Sequence, residues 1–353
     1  MVMVMEPNVP LSQLTTLGLG GPAVQKVDAA TEREIEEVIQ HTDQEQTPLL
    51  VMGGGSNLVV ADSGFPGLVL RVAVRGVEVF PKRDRVQLYV AAGEVWDEFV
   101  ERCVDEGWSG VECLSGIPGW VGAAPVQNIG AYGQEACETI VHVKAFDRVQ
   151  WRVFPKEACH FAYRQSVFKG QSRIIANVCF ELRISALSGP IRYGELARIL
   201  GIREGGCAPL KHVRAAVIEL RRQKGMVLDP SDPDTRSVGS FFLNPVLSSD
   251  QLNRLDQTMK EGSFLKPNET IPRFAHGQGW KVAAAWLIER AGFSRGDYEG
   301  PVGISNQHVL ALVHRGGGTT RALLTLARHI RDEVKTKFGV TLIPEPVMIG
   351  DTL

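Results

Sequence analysis

The chain has 353 residues, 44% of them hydrophobic, and its 38 basic and 40 acidic side chains leave a formal charge of −2. At roughly 100–200 residues per domain this length points to about two or three domains with real cores. The charge balance excludes a basic nucleic-acid footprint, no block of like charge marks a tail, and no apolar run nears the roughly 20 residues of a membrane span.

Six cysteines, Cys103, Cys113, Cys137, Cys159, Cys179 and Cys207, form no C-x-x-C and no zinc-finger spacing. Reduced thiols in a cytoplasmic protein are expected, with no metal. The first residues, MVMVMEPNVP, lack the basic start and long apolar core of a signal peptide.

In chain order, Thr31 and Glu34 form a capping-box pattern ahead of Ile35, Val38 and Ile39, which predicts a helix over 31–42. Strands are predicted at 48–52 and 68–74, so the first 75 residues read as a small β-α-β unit. Short strands at 77–80 and 86–91 follow. Trp96, Phe99, Val100, Cys103 and Val104 then make an apolar helical stripe. A long loop, SGIPGWVGAAPVQNIGAYGQE, leads to strands at 140–147 and 174–184. Residues 188–195 read as a loop, 213–224 as a helix, and LDPSDPDTRS as a linker and domain boundary. Beyond it come a helix over 279–292, a strand over 309–313, a Gly316-Gly317-Gly318 turn, and a long helix from Thr319. GVTLIPEPVMIG closes the chain as a strand interrupted by prolines.

The stretch VMGGGSNLVV places three glycines directly after a strand. A dinucleotide fingerprint needs a third glycine where Leu58 stands, a full helix, and an acid about 20 residues on; all three are missing. A P-loop fails for want of Gly-Lys-Ser/Thr. Two readings stay open: a tight turn between strands, or consecutive N–H groups that cradle an anion. The second glycine loop, with Gly116, Gly119, Gly122, Gly130 and Gly133, favours the second. So many glycines lose much chain entropy on folding, and two such loops suit one extended ligand, such as a dinucleotide.

LVMGGGSNLVVADSGFPGLVL, AAGEVWDEFV, SGIPGWVGAAPVQNIGAYGQE, FAYRQSVFK, SVGSFFLNP, AAWLIERAGF and IPEPVMIG, in this order, resemble the UDP-N-acetylenolpyruvoylglucosamine reductase (MurB) family. RYGELARIL is similar to an insertion in the branch of that family that carries a substrate-covering tyrosine. The resemblance implies an α+β fold: an FAD-binding domain of the vanillyl-alcohol-oxidase type in two subdomains, 1–75 with 347–353 and 76–228, and a UDP-sugar domain at 229–346. It implies non-covalent FAD, NADPH as reductant, and reduction of UDP-N-acetylglucosamine enolpyruvate to UDP-N-acetylmuramate for peptidoglycan, by a protein favoured to be a monomer.

The resemblance also implies site residues. Arg164, Ser240 and Glu345 would be catalytic. Hydride addition to the alkene builds negative charge toward the carboxylate, which needs preorganised donors, and an acid must then protonate the neighbouring carbon. The planar Arg164 guanidinium suits a carboxylate, Ser240 would supply the proton, and Glu345, between two prolines, would be partly protonated beside a like charge. The FAD would lie on Gly53, Gly54, Gly55, Ser56, Asn57, Ser115, Gly116, Ile117, Gly119, Gly122, Ala123 and Gly130. Tyr193, Lys224, Asn244, Arg295 and Gln307 would hold the UDP-sugar, with Lys224 and Arg295 as cations for the diphosphate.

The residues alone leave plainer readings beside these: a loop arginine, a turn serine, a solvated acid and a packing tyrosine. His160, His212 and His276 read as surface or packing residues, and HRGGG at 314–318 has no functional reading. Two other functions stay open: a flavin oxidase that makes peroxide, and a UDP-sugar- or flavin-binding protein without turnover.

Overall fold

The computed structural model describes residues 4–170, 173–266 and 268–353. Contacts divide the chain into two units. One comprises Met1–Val9, Pro22–Gly55 and Phe65–Val227; the other comprises Pro10–Gly21, Ser56–Gly64 and Leu228–Leu353.

The first unit holds two sheets. In the smaller, strands run in the order Glu6–Pro10, Pro22–Ala29, Phe65–Val72, Leu49–Met52, and the last three are parallel. Parallel neighbours need a crossover, which the helix Glu32–Gln44 supplies. Thr31 Oγ1 accepts from Glu34 N–H and the Glu34 carboxylate accepts from Thr31 N–H, so two orphan donors are satisfied at its start. Ile35, Val38 and Ile39 face inward and are buried.

The larger sheet is antiparallel, in the order Trp151–Pro155, Ile140–Phe146, Ile174–Ile184, Arg85–Ala91, Val77–Pro81. The helix Trp96–Asp105 packs its whole apolar stripe into the core. Trp96 lies with its ring centroid 6.0 Å from Phe180, and its indole N–H donates to Leu114 O at 3.0 Å, so the buried polar atom is satisfied. Each such fully buried large side chain is worth about 1.5–3 kcal/mol in transfer from water. A satellite core joins Val213, Val217 and Leu220 of the helix Leu210–Arg222 to Leu196 and Ala197 of the helix Gly194–Ile199.

The second unit is organised on the helix Thr320–Phe338, which buries Leu323, Leu324, Ala327, Ile330 and Val334. The Asp62 carboxylate accepts from Thr320 N–H at 2.7 Å and from Arg321 N–H at 2.9 Å, and this fixes an anion at the positive end of the helix. The closing strand Val347–Ile349 pairs in parallel with Leu58–Val60.

Several expectations are corrected. Residues 279–292 are a strand, Gly279–Val282, followed by a helix, Ala284–Arg290. The strand pairs with Arg273–His276 on one side and Val246–Leu247 on the other, so tertiary pairing overrides the helical spacing. A strand expected over 309–313 is Leu312–His314. Residues 194 and 195, expected in a loop, open a helix. The expected linker is not loose: Pro233–Thr235 is a 3-10 turn whose Asp234 and Thr235 are buried. Helix Ser249–Glu261 is unanticipated, although Ser248 and Gln251 form a capping box ahead of buried Leu252, Leu255 and Met259.

Candidate functional site

In the first unit the two glycine loops meet. A Cβ at Gly54 would lie 3.0 Å from Gly119 Cα and 3.2 Å from the Trp120 ring, so the loops approach backbone to backbone. Gly55 has φ +67°, a left-handed conformation that costs most residues about 1–2 kcal/mol. Among the described residues the N–H groups of Gly54 and Gly55 donate to no protein acceptor, although Gly55 is buried. Buried N–H groups are nearly always paired, so this pair of donors fits an external anion. Ser56 and Asn57 belong to the second unit, where Ser56 O accepts from Thr16 Oγ1 at 3.5 Å and Asn57 O accepts from Val347 N–H at 2.9 Å.

The second loop is held from below. Gly116 N–H donates to Asp97 Oδ1 at 2.5 Å, and Arg214 grips the same carboxylate through two nitrogens at 2.6 and 2.9 Å. Burial would raise the Asp97 carboxyl; the hydrogen bonds from Arg214 and Gly116 outweigh it and hold it below the usual carboxylate range. Ser115 is fully buried and its hydroxyl donates to Glu112 O at 2.7 Å. Gly122 is required by close packing, since a Cβ would meet Ala92 Cβ at 2.5 Å. Ile117 is half-buried and Ala123 exposed.

Arg221 is a functional candidate that the sequence reading missed. It is 8% exposed, donates to Met226 O at 2.8 Å, and its buried Nε has no partner among the described residues. A Cβ at Gly116 would lie 3.2 Å from that Nε, so the guanidinium lies against the second glycine loop. The available signal was position: Arg221 follows Val213 and Val217 at helical spacing on an apolar face. A cation there needs a reason.

Arg164 lies in the same unit with left-handed backbone, φ +54°, and donates to Gly130 O at 2.7 Å. Its Nη1 is 3.1 Å from where a Gly130 Cβ would stand, so only glycine fits there without displacing the arginine. The fold thus joins an expected catalytic residue to an expected cofactor residue, and strain of this kind gathers at functional sites.

In the second unit Ser240 and Glu345 stand on adjoining segments. Ser240 bridges Ala311, and Glu345 N–H donates to Phe241 O at 2.9 Å. Phe241 and Phe242 are buried and anchor the serine. Gly239 has φ +74° and open space around it, so its backbone conformation alone calls for glycine. Both Ser240 and Glu345 are half-buried.

The expected UDP-sugar residues divide between the units. In the first, the Lys224 ammonium pairs with Glu195 at 3.2 Å and lies 5.8 Å from the centroid of Tyr132, while Tyr132 and Tyr193 meet edge to face at 5.3 Å. Burial pushes the Tyr132 hydroxyl up to about 12. In the second unit, Asn244 Oδ1 accepts from Ala284 N–H at 2.9 Å, which leaves its amide nitrogen for other work. Arg295 is exposed. Gln307 donates to Asp232 at 3.3 Å, and since a carboxylate only accepts, the amide orientation is set. Its Oε1 is buried with no partner among the described residues, an acceptor awaiting a donor.

The HRGGG segment has a structural account within the second unit. Gly318 N–H donates to His314 Nε2 at 3.1 Å, so the proton sits on Nδ1, which reaches Leu17 O at 3.3 Å. Neutral His314 therefore ties the glycine turn to the loop at Leu17. A Cβ at Gly318 would be 2.7 Å from Val302 Cγ1 and 2.9 Å from His314 Cδ2. His160 and His212 are exposed.

Similarity to known proteins bears on this geometry. Residues 25–149 match a family model described as "FAD binding domain". That makes the protein one of the FAD-binding class, and the mixed helix-and-sheet first unit agrees. Residues 230–349 match "UDP-N-acetylenolpyruvoylglucosamine reductase, C-terminal domain". A UDP-N-acetylenolpyruvoylglucosamine reductase of Thermobifida fusca is 55% identical over 98% of both chains. One of Streptomyces coelicolor is 45% identical over 98% of this chain and 90% of its own. The chain belongs to the UDP-N-acetylenolpyruvoylglucosamine reductase family. The crystal structure of such a reductase from Thermus caldophilus shares the fold, with TM-score 0.67 and 24% identity over 98% of this chain and 99% of that one.

Proposed function

We propose that this protein reduces UDP-N-acetylglucosamine enolpyruvate to UDP-N-acetylmuramate, with FAD bound non-covalently and NADPH as reductant. The observation that carries the reading is 55% identity to a relative of that name over nearly the whole of both chains. When bound, FAD supplies hydride transfer to the enolpyruvyl alkene. The residues present fit such a group: unpaired N–H groups at Gly54 and Gly55, and a buried Arg221 whose Nε lacks a protein partner, suit an anionic cofactor.

In this reading 1–75 with 347–353, and 76–228, hold the cofactor, and 229–346 binds the UDP-sugar. The closing strand Val347–Ile349 pairs in parallel with Leu58–Val60, and both lie in the second unit. The cofactor lies on Gly53–Asn57 and on Ser115, Gly116, Ile117, Gly119, Gly122, Ala123 and Gly130. Arg164 fixes the substrate carboxylate and, with Glu345, stabilises the charge that develops there. Ser240 donates the proton to carbon. Tyr193, Lys224, Asn244, Arg295 and Gln307 hold the UDP-sugar, and the unpartnered Gln307 Oε1 supports a ligand that offers an N–H or O–H there. The protein works in the cytoplasm as a monomer; six free cysteines support a reducing compartment.

The test separates the two half-reactions. Ser240→Ala should slow substrate reduction by about 10²–10⁴-fold and leave flavin reduction by NADPH at the wild-type rate, read by stopped-flow absorbance. Wild-type rates in both halves would remove Ser240 as the acid. Protein that stays colourless with added FAD would overturn the whole reading.

A further inference from the structure

Four side chains of the first unit cluster. Glu195 pairs with Lys224, Lys224 lies over the Tyr132 ring, and Tyr132 packs edge-on against Tyr193, whose hydroxyl pKa is raised by burial and by the nearby Glu195 charge. Tyr132 holds its place with left-handed backbone, φ +48°. Glu195 lies in the first turn of the helix Gly194–Ile199 and stands two residues from Tyr193; Lys224 lies in the turn just past the helix Leu210–Arg222. Glu195 occupies the ammonium of a residue read above as a diphosphate ligand.

We propose that Glu195 is an internal stand-in for the substrate's phosphate: it neutralises Lys224 while the site is empty and is displaced when a diphosphate arrives. The inference rests on the reading of Lys224 and Tyr193 as UDP-sugar residues. Its logic is electrostatic. A diphosphate brought to Lys224 meets the Glu195 carboxylate at close range, and like charges there repel. Binding therefore exchanges one ion pair for another. Glu195 sets affinity by competition.

This predicts a gain of affinity on mutation, which a merely structural role would not produce. Lys224 and Glu195 are 29% and 37% exposed, so the pair is a modest one and the gain is small. UDP and uridine are titrated into FAD-loaded wild type, Glu195→Gln and Lys224→Met, with flavin content and Tm as checks of folding. Glu195→Gln should bind UDP roughly two- to fivefold tighter, leave uridine unchanged, and lower KM for the substrate more than it alters kcat. In the Lys224→Met background the same change should tighten UDP distinctly less than in wild type, because only the direct repulsion remains. UDP binding no tighter in Glu195→Gln, or uridine tightened equally, overturns the proposal. Unchanged UDP binding in Lys224→Met overturns the underlying reading of Lys224 instead.

Discussion

Two glycine clusters in this chain look alike in sequence and differ in what their backbone does. At Gly53–Gly55 the N–H groups of Gly54 and Gly55 find no acceptor among the described residues, and the loop leans on Gly119 and Trp120. At Gly316–Gly318 the Gly318 N–H is taken by His314, and the space for a side chain is filled by Val302 and His314. Both clusters bring backbone close to other parts of the chain. They differ in burial: Gly55 is buried, whereas Gly316 and Gly317, whose N–H groups also have no acceptor among the described residues, are exposed to water. Glycine density therefore marks close approach, and an unpaired N–H that is also buried separates a candidate ligand loop from a packing turn.

The comparison can be broken by substitution. The largest effect is expected at Gly55. Gly55→Val puts a β-branched residue at φ +67° and covers the proposed cradle, so the protein should purify without FAD while its second unit stays folded. Flavin absorbance after gel filtration reads this, and a yellow variant would reassign the loop to packing. Gly318→Val should cost about 1–3 kcal/mol by overpacking against Val302 and His314 with FAD content unchanged; Tm and the flavin spectrum are the two readouts.

The smallest effect concerns pH. Burial lowers the pKa of His314, assisted by nearby Arg236 and opposed by the Leu17 carbonyl. Its folded value lies below the ordinary histidine value of 6.5, so the unfolded chain takes up the proton first. The stability that neutral His314 contributes is complete above pH 6.5 and is lost as pH falls through the folded pKa. Denaturant midpoints from pH 8 to 5 should fall more steeply for wild type than for His314→Gln, which does not titrate. Parallel curves would show that the clamp does not depend on protonation.

Much of the local structure was legible. The capping box at Thr31, the stripe from Trp96 to Val104 and the strand Ile174–Ile184 carry their period or cap in a few adjacent residues. The errors arose where distant partners decide. Gly279–Val282 has helical spacing yet pairs with Val246–Leu247 and Arg273–His276. The run LDPSDPDTRS at 228–237 reads as a linker because nothing local shows that Asp234 pairs with Arg315. The candidate site divides in the same way. Arg164, Ser240 and Glu345 stand out through motif resemblance alone, since an arginine, a serine and an acid carry no period. The contact between Arg164 and Gly130 and the Glu195–Lys224 pair arise from folding and left no mark in any short stretch, whereas buried Arg221 is marked only by its place on the apolar face of its helix.

The parallel pairing of Val347–Ile349 with Leu58–Val60 also constrains how the protein is made. The second unit draws on Pro10–Gly21 and Ser56–Gly64 as well as on everything after Leu228. At roughly 5–20 residues per second, about 15–60 s of translation separate Val60 from its strand partner. During that interval Leu17, Leu19 and Val59, all buried in the finished core, wait for partners that lie at Val238 and beyond.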